Sequence, residues 1–358
     1  MASQRDGGIS WTNPPGYKGE TWSVALGCTQ TSVGCHNCWA KGMVRRYEAS
    51  SHAVHPTVTN TGQWNGHVEL RPDWLSKPLH WREPRCVGVQ LLGDLFHEAV
   101  PFPYIAAVYG VMAACPQHRF IVLTKRPERR LEWHKSVIEH AATHHSFPLG
   151  LCSVHADQML GGPVGLPDEV AQWPKWPPPN VIEGVSVEDQ KTLESRWPVL
   201  RDTPAAARCI SAEPLLGPLN LERGLHRCHS AQDGDCFWQH CPQLRDGEPA
   251  RTGRHCPLDD DPYEERAPRL DFVIVGGDNH ISRARPCNVQ LIRDIVRQCR
   301  EAHVPVHLKQ LGSRPITQPN GRDPNARPYP ISDGAGRIVS EWPADLQDAR
   351  EWPEVLRG

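Results

Sequence analysis

The sequence predicts an α/β protein whose strands form a parallel sheet, either open or closed into a barrel. Three observations predict this fold: short apolar runs recur along the chain, amphipathic helical patterns separate them, and polar residues follow the ends of the runs. The runs are nearly continuous in apolar residues rather than alternating, which is typical of parallel strands covered on both faces. Strand and helix alternate about six times, as βα units with right-handed crossovers do.

Seven apolar runs are the predicted strands. They are residues 22–26, 86–93, 119–125, 181–188, 207–213, 272–277 and 304–310. Helical patterns lie between them at residues 104–115, 127–142, 189–202 and 289–302. In the third of these helices Asp189 is the predicted N-cap, and Pro198 is predicted to break the helix.

The alternation of strands and helices divides the chain into three parts. Residues 1–219 and 269–312 are the predicted sheet core. Residues 220–268 are polar and lack periodicity, which predicts an insertion over one end of the sheet. Residues 313–358 are rich in Pro, Gly and Asp, and we expect an irregular C-terminal extension with one short terminal helix.

Composition and charge limit the class of protein. The chain has 358 residues and a formal net charge of −2, so any basic surface must be local. No run reaches the ~18 apolar residues of a membrane span, and the N-terminal MASQRDGGIS lacks the apolar core of a signal peptide. These features predict a cytoplasmic protein without a membrane partner. In that compartment the 13 cysteines are expected to bind metal or do redox chemistry rather than form disulfides.

Polar residues and glycines stand at the predicted carboxyl ends of the strands. They are Asp94, Lys125, Arg126, Ser186, Glu188, Glu213, Gly276, Gly277, Lys309 and Gln310. In a βα barrel the active site is built at that face. Each residue alone would be an ordinary loop residue or helix cap, but their recurrence on strand after strand predicts a functional site.

Three cysteines follow the first predicted strand with C-x6-C-x2-C spacing: Cys28, Cys35 and Cys38. Three thiolates would hold a [4Fe–4S] cluster and leave one iron free for another ligand. Zinc is an alternative, with His36 as a fourth ligand. A thioredoxin-like C-x-x-C at Cys35 and Cys38 is another. The spacing alone leaves all three open.

Four more cysteines lie in the insertion: Cys228, Cys236, Cys241 and Cys256. Four thiols in a segment that is poor in apolar residues predict a structural zinc site. A second iron–sulfur cluster and a lid without metal are the alternatives. A further set lies on apolar faces of predicted strands and helices and is expected to be buried: Cys86, Cys115, Cys209 and Cys299.

Seven segments, in chain order, resemble a phage-associated and bacterial family of unknown function whose members are atypical radical S-adenosylmethionine (SAM) proteins. Spore photoproduct lyase is a more distant relative. The segments are GCTQTSVGCHNCWAKGM (27–43), GDLFHE (93–98), CPQHRFIVLTKRPERR (115–130), GVSVEDQKT (184–192), ISAEPLLGPLNL (210–221), FVIVGGDN (272–279) and VPVHLKQLG (304–312). The resemblance covers most of residues 9–312.

This resemblance implies a fold, two cofactors and a reaction. The fold would be a partial (βα)6 radical SAM-type barrel. Cys28, Cys35 and Cys38 would hold a [4Fe–4S] cluster, and SAM would chelate its fourth iron. Reductive cleavage of SAM, with electrons from a donor such as flavodoxin or ferredoxin, would give a 5′-deoxyadenosyl radical that abstracts hydrogen from substrate.

The resemblance also implies contacts to SAM, with one departure from the usual motif. The superfamily spacing is C-x3-C-x2-C with an aromatic before the last cysteine, whereas here Asn37 precedes Cys38 and Trp39 follows it. Trp39 is expected to take the aromatic's place against the adenine. The remaining implied contacts are Asp94 near the SAM amine, Ser186 and Glu188 near the ribose, and Glu213, Gly276 and Gly277 at cofactor or substrate.

Basic residues at the predicted site mouth indicate a phosphate-bearing substrate. They are Lys125, Arg126, Arg129, Arg130 and Lys309. Phosphate contacts are how enzymes position DNA, and a base inside a duplex would be flipped into the barrel. The alternative for these residues is an ordinary solvated face.

The phage association leads to a specific hypothesis. The enzyme would be an isomerase that rearranges an amino-acid adduct of hypermodified thymine in phage DNA, acting in the host cytoplasm. The adduct's carboxylate would pair with Arg126 or Lys309, and Lys125 would lie beside them. The alternatives are a radical SAM lyase that repairs DNA lesions, an enzyme that modifies RNA bases, and a non-catalytic zinc protein that binds nucleic acid.

Overall fold

The computed structural model describes residues 8–47, 57–59, 61–167, 176–225, 269–280, 282–317 and 327–357. Its centre is a parallel sheet of seven strands, which follow one another in space as β1 (Lys18–Trp22), β4 (Arg85–Val89), β5 (Arg119–Thr124), β6 (Val181–Ser186), β7 (Ala207–Ala212), β8 (Phe272–Gly276) and β10 (Val306–Gln310). The sheet curls into a half barrel, so the predicted α/β class and parallel sheet are confirmed. It has one strand more than the six that the resemblance implies.

Helices connect or flank these strands. They are α1 (Trp39–Tyr47), α2 (Phe102–Ala113), α3 (Pro127–Thr143), α4 (Pro148–Leu160), α5 (Gln190–Asp202), α6 (Glu222–Leu225) and α7 (Val289–Glu301). The four predicted helices correspond to α2, α3, α5 and α7, whereas α1, α4 and α6 are additional. Two short ladders complete the elements: β2 (Ala25–Leu26) pairs with β3 (Glu69–Leu70), and β9 (Cys287–Asn288) pairs with β11 (Pro315–Ile316).

The inner face of the half barrel changes from apolar to polar along the strands. Toward the amino ends it carries a buried cluster that includes Trp11, Cys86, Ile121, Ile182, Cys209 and Ile274. Toward the carboxyl ends the same rows continue with Ser186, Ser211, Glu213 and Lys309, which line a cavity. Because successive side chains of a strand point to opposite faces, every second residue follows this inner row. The sequence thereby builds an apolar floor beneath a polar mouth.

The outer face of the sheet packs against the helices and contains one buried charge network. Glu183 of β6 is fully buried, and its Oε1 accepts a hydrogen bond from the Tyr109 hydroxyl at 2.6 Å. Arg130 of α3, also fully buried, lies with Nη1 3.4 Å from the Glu183 Oε2. The predicted role of Arg130 at a basic surface is therefore wrong, because its guanidinium fixes α3 to the sheet.

Two predictions about individual elements are wrong. The first strand was expected at residues 22–26, but β1 is Lys18–Trp22. It lies at the edge of the sheet, where β4 alone among the described strands pairs with it, and of its five residues only Trp22 is buried. The helix α5 continues through Pro198, which lies on its exposed side. The carbonyl that loses its hydrogen bond there can face water. The predicted N-cap is confirmed, since the Asp189 carboxylate accepts a hydrogen bond from the Thr192 amide at 2.9 Å.

The C-terminal extension is irregular, as predicted, but it belongs to the core. Its described part contains three single-turn 3-10 helices, at Val339–Glu341, Ala344–Leu346 and Glu354–Leu356, rather than one terminal helix. The Trp352 indole donates to the Trp11 carbonyl at 3.2 Å, so the extension closes the apolar floor. The Leu308 amide donates to the Ala349 carbonyl, and this covers the free edge of β10.

The insertion is described only up to residue 225, where α6 ends. The predicted zinc ligands Cys228, Cys236, Cys241 and Cys256 lie outside the described residues, so that site stays a prediction. Within the described part of the chain, no helix has the length and apolar character needed to cross a bilayer.

Candidate functional site

A cavity opens at the carboxyl ends of the strands, where the sequence predicts a site. Eleven of the predicted residues line it: Cys28, Cys35, Cys38, Trp39, Asp94, Lys125, Ser186, Glu213, Gly277, Lys309 and Gln310. They come from most of the length of the chain, and the parallel order of the strands brings them together. Three other predicted strand-end residues, Arg126, Glu188 and Gly276, lie behind the lining and contact it.

The loop that carries the cysteines leaves the sheet at a glycine. Gly27 follows β2 with φ +105°, a conformation that favours glycine, and a Cβ there would overlap the carbonyl of His67. Gly27 also forms an isolated bridge with Gly93, next to the predicted site residue Asp94. These two glycines let the start of the cysteine loop lie directly against the end of the neighbouring strand.

The second and third cysteines lie on one compact turn. Cys35 ends the 3-10 helix Val33–Cys35, and the Cys38 amide donates to the Cys35 carbonyl at 3.2 Å. Cys38 directly precedes α1, whose first residue is Trp39. The Trp39 side chain is 42% exposed and lines the cavity. The turn therefore presents two thiols and an aromatic surface to the same opening.

The three thiols have different environments. Burial, with the charge of Asp94, raises the pKa of Cys28 to about 12, and Arg126 opposes this rise. Burial also raises the pKa of Cys38. Burial alone would raise the pKa of Cys35, but the charge of Lys125 and hydrogen bonds in the turn outweigh it, so that its pKa is lowered. Cys35 is therefore the thiol most ready to lose its proton.

The described cysteines are free thiols, and Cys86, Cys115, Cys209 and Cys299 are buried as predicted. Among the described residues, no group of three or more His, Cys, Asp and Glu side chains is placed to hold a single metal ion. His36, the fourth ligand of the zinc alternative, has an exposed side chain.

Glu188 holds the cysteine loop from the side of β6. Its carboxylate is fully buried, forms an ion pair with Lys125, and lies 3.1 Å from Nη1 of Arg196. The Ser32 hydroxyl donates to it at 2.8 Å. A Cβ on Gly34 would overlap the same carboxylate, so the loop backbone rests on it. Glu188 was predicted to contact ribose, but its described partners are the loop and two cations.

A second buried carboxylate, Asp278 after β8, holds the same loop from the other side. Its Oδ2 accepts hydrogen bonds from Asn37 Nδ2 at 2.9 Å and from Arg285 Nε at 2.8 Å. Arg285 also donates through Nη1 to the carbonyl of Val33 at 2.7 Å. Asn37 Nδ2 is within 2.7 Å of the Arg283 carbonyl. These bonds, with burial opposing them, lower the pKa of Asp278.

Sequence reasoning missed Asp278 and Arg285 as site residues. Asp278 directly follows Gly276 and Gly277, so the strand-end signal that selected the glycines applies to it equally. Arg285 carries no such signal, because only the fold brings it to the Val33 carbonyl.

Arg126 bonds the beginning of the cysteine loop, at Thr29. Its Nη1 lies 2.7 Å from the Glu98 carboxylate, and its Nη2 donates to the Thr29 hydroxyl at 2.5 Å. The His97 ring also bonds that hydroxyl, at 3.1 Å. Arg126 therefore fixes the residue next to Cys28.

Asp94 links the ends of β4 and β5. Its Oδ1 accepts from the Thr124 hydroxyl at 2.7 Å and from the Phe96 amide at 3.0 Å. Its Oδ2 accepts from the Lys125 amide at 3.1 Å. Asp94 lines the cavity, and these bonds fix its orientation. Its contact with SAM stays a prediction.

Lys309 and Glu213 form an ion pair that is part of the cavity wall. Lys309 Nζ lies 2.9 Å from Glu213 Oε1, and the two side chains are 19% and 14% exposed. Glu213 Oε2 also bonds the Ser211 hydroxyl at 3.2 Å. A Cβ on Gly276 would lie 2.8 Å from Glu213 Oε1, so this glycine leaves room for the carboxylate.

Three of the five predicted cations of the mouth, Lys125, Arg126 and Lys309, are thus paired with carboxylates of the site. Lys125 pairs with Glu188, Arg126 with Glu98, and Lys309 with Glu213. Their charges are largely balanced locally, so they form a weaker phosphate-binding surface than the sequence suggested. The Lys309–Glu213 pair differs from the Lys125 and Arg126 pairs in that both of its members line the cavity.

The fold and the cavity define an α/β protein with a site at the carboxyl ends of a curled parallel sheet. The chain belongs to the family described as "Protein of unknown function (DUF5131)", which matches residues 7–334. No curated protein and no solved structure matches the chain. The similarity to radical SAM proteins stays a prediction.

Proposed function

We propose that this protein is a radical SAM enzyme, in which Cys28, Cys35 and Cys38 hold a [4Fe–4S] cluster and SAM binds the remaining iron. The observation that carries the proposal is the placement of three separate thiols on one loop at the mouth of a half barrel, where they face a cavity whose lining includes Asp94, Lys125 and Glu213. When bound, the cluster and SAM supply a 5′-deoxyadenosyl radical for hydrogen abstraction.

The donor set suits this cofactor. Three thiolates are the soft ligands that an iron–sulfur cluster prefers. Ligands must lose their protons to bind metal, and Lys125 already lowers the pKa of Cys35. Burial keeps Cys28 and Cys38 protonated in the metal-free protein. Of the three thiols, Cys35 would therefore give up its proton most readily when the site is loaded.

The cavity wall beside the cysteines offers contacts for SAM. The exposed Trp39 ring supplies an apolar surface for the adenine. Ser186 and the backbone at Gly277 line the same wall and would contact the ribose or substrate. Glu188 acts indirectly, because it fixes Lys125 and the loop beneath the cluster.

For the substrate, we retain an amino-acid adduct of hypermodified thymine in phage DNA, and for the reaction its isomerisation. Lys309 lines the cavity, whereas Arg126 lies behind the lining and bonds Glu98 and Thr29. This difference favours Lys309 as the partner of the adduct's carboxylate. Charge-assisted hydrogen bonds of this kind are among the stronger ones in proteins. Glu213, already bonded to Lys309, would accept from the adduct's amine. The base would reach the cavity by flipping out of the duplex.

The proposal includes two further expectations. Reduction of the cluster requires an electron donor such as flavodoxin or ferredoxin. The low net charge of the chain and its cysteine content suit the cytoplasm, which would be that of the host for a phage-encoded protein.

The test compares nucleosides after anaerobic turnover. Reduced, cluster-loaded protein and SAM are incubated with DNA that carries the thymine adduct, with ordinary DNA, and with the free modified nucleoside. The DNA is then digested, and the nucleosides are compared by mass and retention. An isomerase gives a product of unchanged mass and new retention from the modified substrate only.

A variant pair tests the assignment of Lys309. Lys309→Met should lower turnover by about 10²-fold, because misplacement of the adduct by ~1 Å is enough for such a loss. SAM cleavage without substrate should continue. Lys191→Met changes an exposed lysine of α5 and is the control. A mass change in the product would favour a repair lyase, and a colourless protein that contains only zinc would favour the non-catalytic alternative.

A further inference from the structure

The segment from Ser32 to Cys38 lies between two buried carboxylates, Glu188 and Asp278, and forms hydrogen bonds with both. Glu188, after β6, is fully buried, and Asp278, after β8, is 4% exposed. Each carboxylate is balanced by an arginine, Arg196 for Glu188 and Arg285 for Asp278. A buried carboxylate is costly unless it is paired and hydrogen-bonded. Both carboxylates also bond the loop itself.

The bonds are distributed over the whole segment. Glu188 accepts from the Ser32 hydroxyl near its beginning, at 2.8 Å. Arg285 donates to the Val33 carbonyl at 2.7 Å. Near the end, Asn37 donates to Asp278 at 2.9 Å. Cys35 lies between these anchors, and Cys38 directly follows the last of them.

Asn37 connects the loop to β8 with a single amide. Its Nδ2 reaches both Asp278 Oδ2 and the Arg283 carbonyl. Arg285 Nε donates to the same Asp278 oxygen at 2.8 Å, so Arg285 fixes the acceptor independently of Asn37. The amide therefore meets a rigid partner, which is the arrangement that holds a neighbouring side chain in one position.

Cys28 is held by a different set of contacts. The residue after it, Thr29, bonds Arg126 at 2.5 Å and His97 at 3.1 Å. These contacts come from β4 and β5 rather than from β8. The three thiols are thus positioned by two separate groups of side chains.

We propose that Asn37 and Asp278 are positioning residues that hold Cys35 and Cys38 in place before any metal binds, independently of Cys28. The purpose of this arrangement, a preformed cluster site, rests on the proposed function, but the arrangement itself does not. Ordering a loop costs roughly 1–2 kcal/mol per residue. Because this loop is already ordered by folding, metal binding does not have to order it and does not bear that cost.

The test measures thiol accessibility in the metal-free, reduced, full-length protein. The protein is exposed to short pulses of iodoacetamide, and alkylation of each cysteine is quantified by mass spectrometry of peptides. Asn37→Ala leaves the Asp278–Arg285 pair in place, so the fold should persist. Loss of a hydrogen bond to a charged group should speed alkylation of Cys35 and Cys38 by about tenfold. Cys28 should react at the wild-type rate.

Two further variants give the matched control and a conservative change. Asn13→Ala removes an amide that also makes two hydrogen bonds, to the Ile9 carbonyl and from the Gly19 amide, which join the segment before β1 to that strand. It should leave all three rates unchanged. Asn37→Asp keeps the size of the side chain but places a second carboxylate against Asp278 and the Arg283 carbonyl. It should therefore speed alkylation of Cys35 and Cys38 at least as much as Asn37→Ala does.

The outcomes separate this proposal from the proposed function. If Asn37→Ala leaves Cys35 and Cys38 at wild-type rates, or accelerates Cys28 equally, the proposal is wrong. The alkylation assay uses metal-free protein, so it tests the positioning proposal even if the wild-type protein never binds iron. In that case the proposed function fails while the positioning role stands. Where iron does bind, Asn37→Ala should also change the electron paramagnetic resonance spectrum of the reduced cluster, which a purely structural loss elsewhere would not do.

Discussion

The cysteines of the mouth and those of the core are the same residue in two chemically different regions. Cys28, Cys35 and Cys38 are half-buried on one loop and line the cavity. The six other described cysteines are fully buried on strands, helices and their ends: Cys86, Cys115, Cys152, Cys209, Cys287 and Cys299. For these six, burial is the main cause of a raised pKa.

The comparison shows that position in the fold, not residue type, decides what a thiol can do. A thiol in an apolar interior is a small hydrophobic group and stays protonated. At the mouth, the charge of Lys125 and hydrogen bonds from the turn overcome burial for Cys35. Glycines, ion pairs and the Asn37 amide hold that loop open to the cavity.

Breaking the mouth set should have the largest effect. Replacing Cys28, Cys35 or Cys38 by Ala should reduce bound iron to near zero and abolish SAM cleavage, because a cluster held by two thiolates is unstable. The far-ultraviolet circular dichroism should stay native. Iron and sulfide content after anaerobic reconstitution checks this.

Cys115→Ala is the matched change in the core. It should keep the iron and SAM cleavage, and destabilise the fold by about 1 kcal/mol through the lost packing. Full iron content in any of the mouth variants would argue against the three-thiolate site.

The two fully buried glutamates of the β6 region, Glu183 and Glu188, give a second comparison between core and mouth, with a smaller expected effect. Glu188→Gln and Glu183→Gln should each reduce the free energy of unfolding by about 3 kcal/mol, because each leaves a buried arginine without its partner. The two variants should differ in iron content. Glu188 bonds the cysteine loop through Ser32, whereas Glu183 bonds α2 and α3. Urea unfolding and iron analysis check both, and equal iron loss would contradict the role of Glu188.

The smallest expected effect concerns the pH dependence of the thiols in the metal-free protein. Because the pKa of Cys35 is lowered, its thiolate forms at lower pH than that of an ordinary thiol. The alkylation rate of Cys35 should therefore reach its plateau at a lower pH than the rate of an ordinary thiol does. Alkylation of Cys28, with its pKa of about 12, should still be rising at that point. Lys125→Met should move the Cys35 profile to higher pH, and Lys135→Met, on the exposed side of α3, should not. Identical profiles for the two cysteines would contradict this account.

Much of the fold was predictable because its signals are local. Continuous apolar runs such as 119–125 and 272–277 mark buried parallel strands, and the residues that follow them reach one face by topology alone. This is why Asp94, Lys125, Glu213 and Lys309 could be assigned to one site from the sequence. β1 escaped prediction because this edge strand, Lys18–Trp22, contains no apolar run and buries only Trp22.

The partners of the site residues were not predictable in the same way. Nothing near Asn37 in the sequence indicates that it bonds Asp278, since the two are separated by 241 positions. Likewise Arg126 and Lys309 are both basic strand-end residues that pair with a carboxylate, Glu98 or Glu213. Only the fold shows that the Lys309–Glu213 pair lines the cavity. Pairing depends on the tertiary structure, whereas strand ends can be read from the sequence.

The most direct test of the central claim is electron paramagnetic resonance of anaerobically purified, reduced wild-type protein, with and without SAM. A cluster on Cys28, Cys35 and Cys38 predicts about four iron ions per chain, a signal from the reduced cluster, and a change in that signal when SAM binds the open iron. A colourless protein with zinc as its only metal, or a signal that SAM leaves unchanged, would contradict the claim.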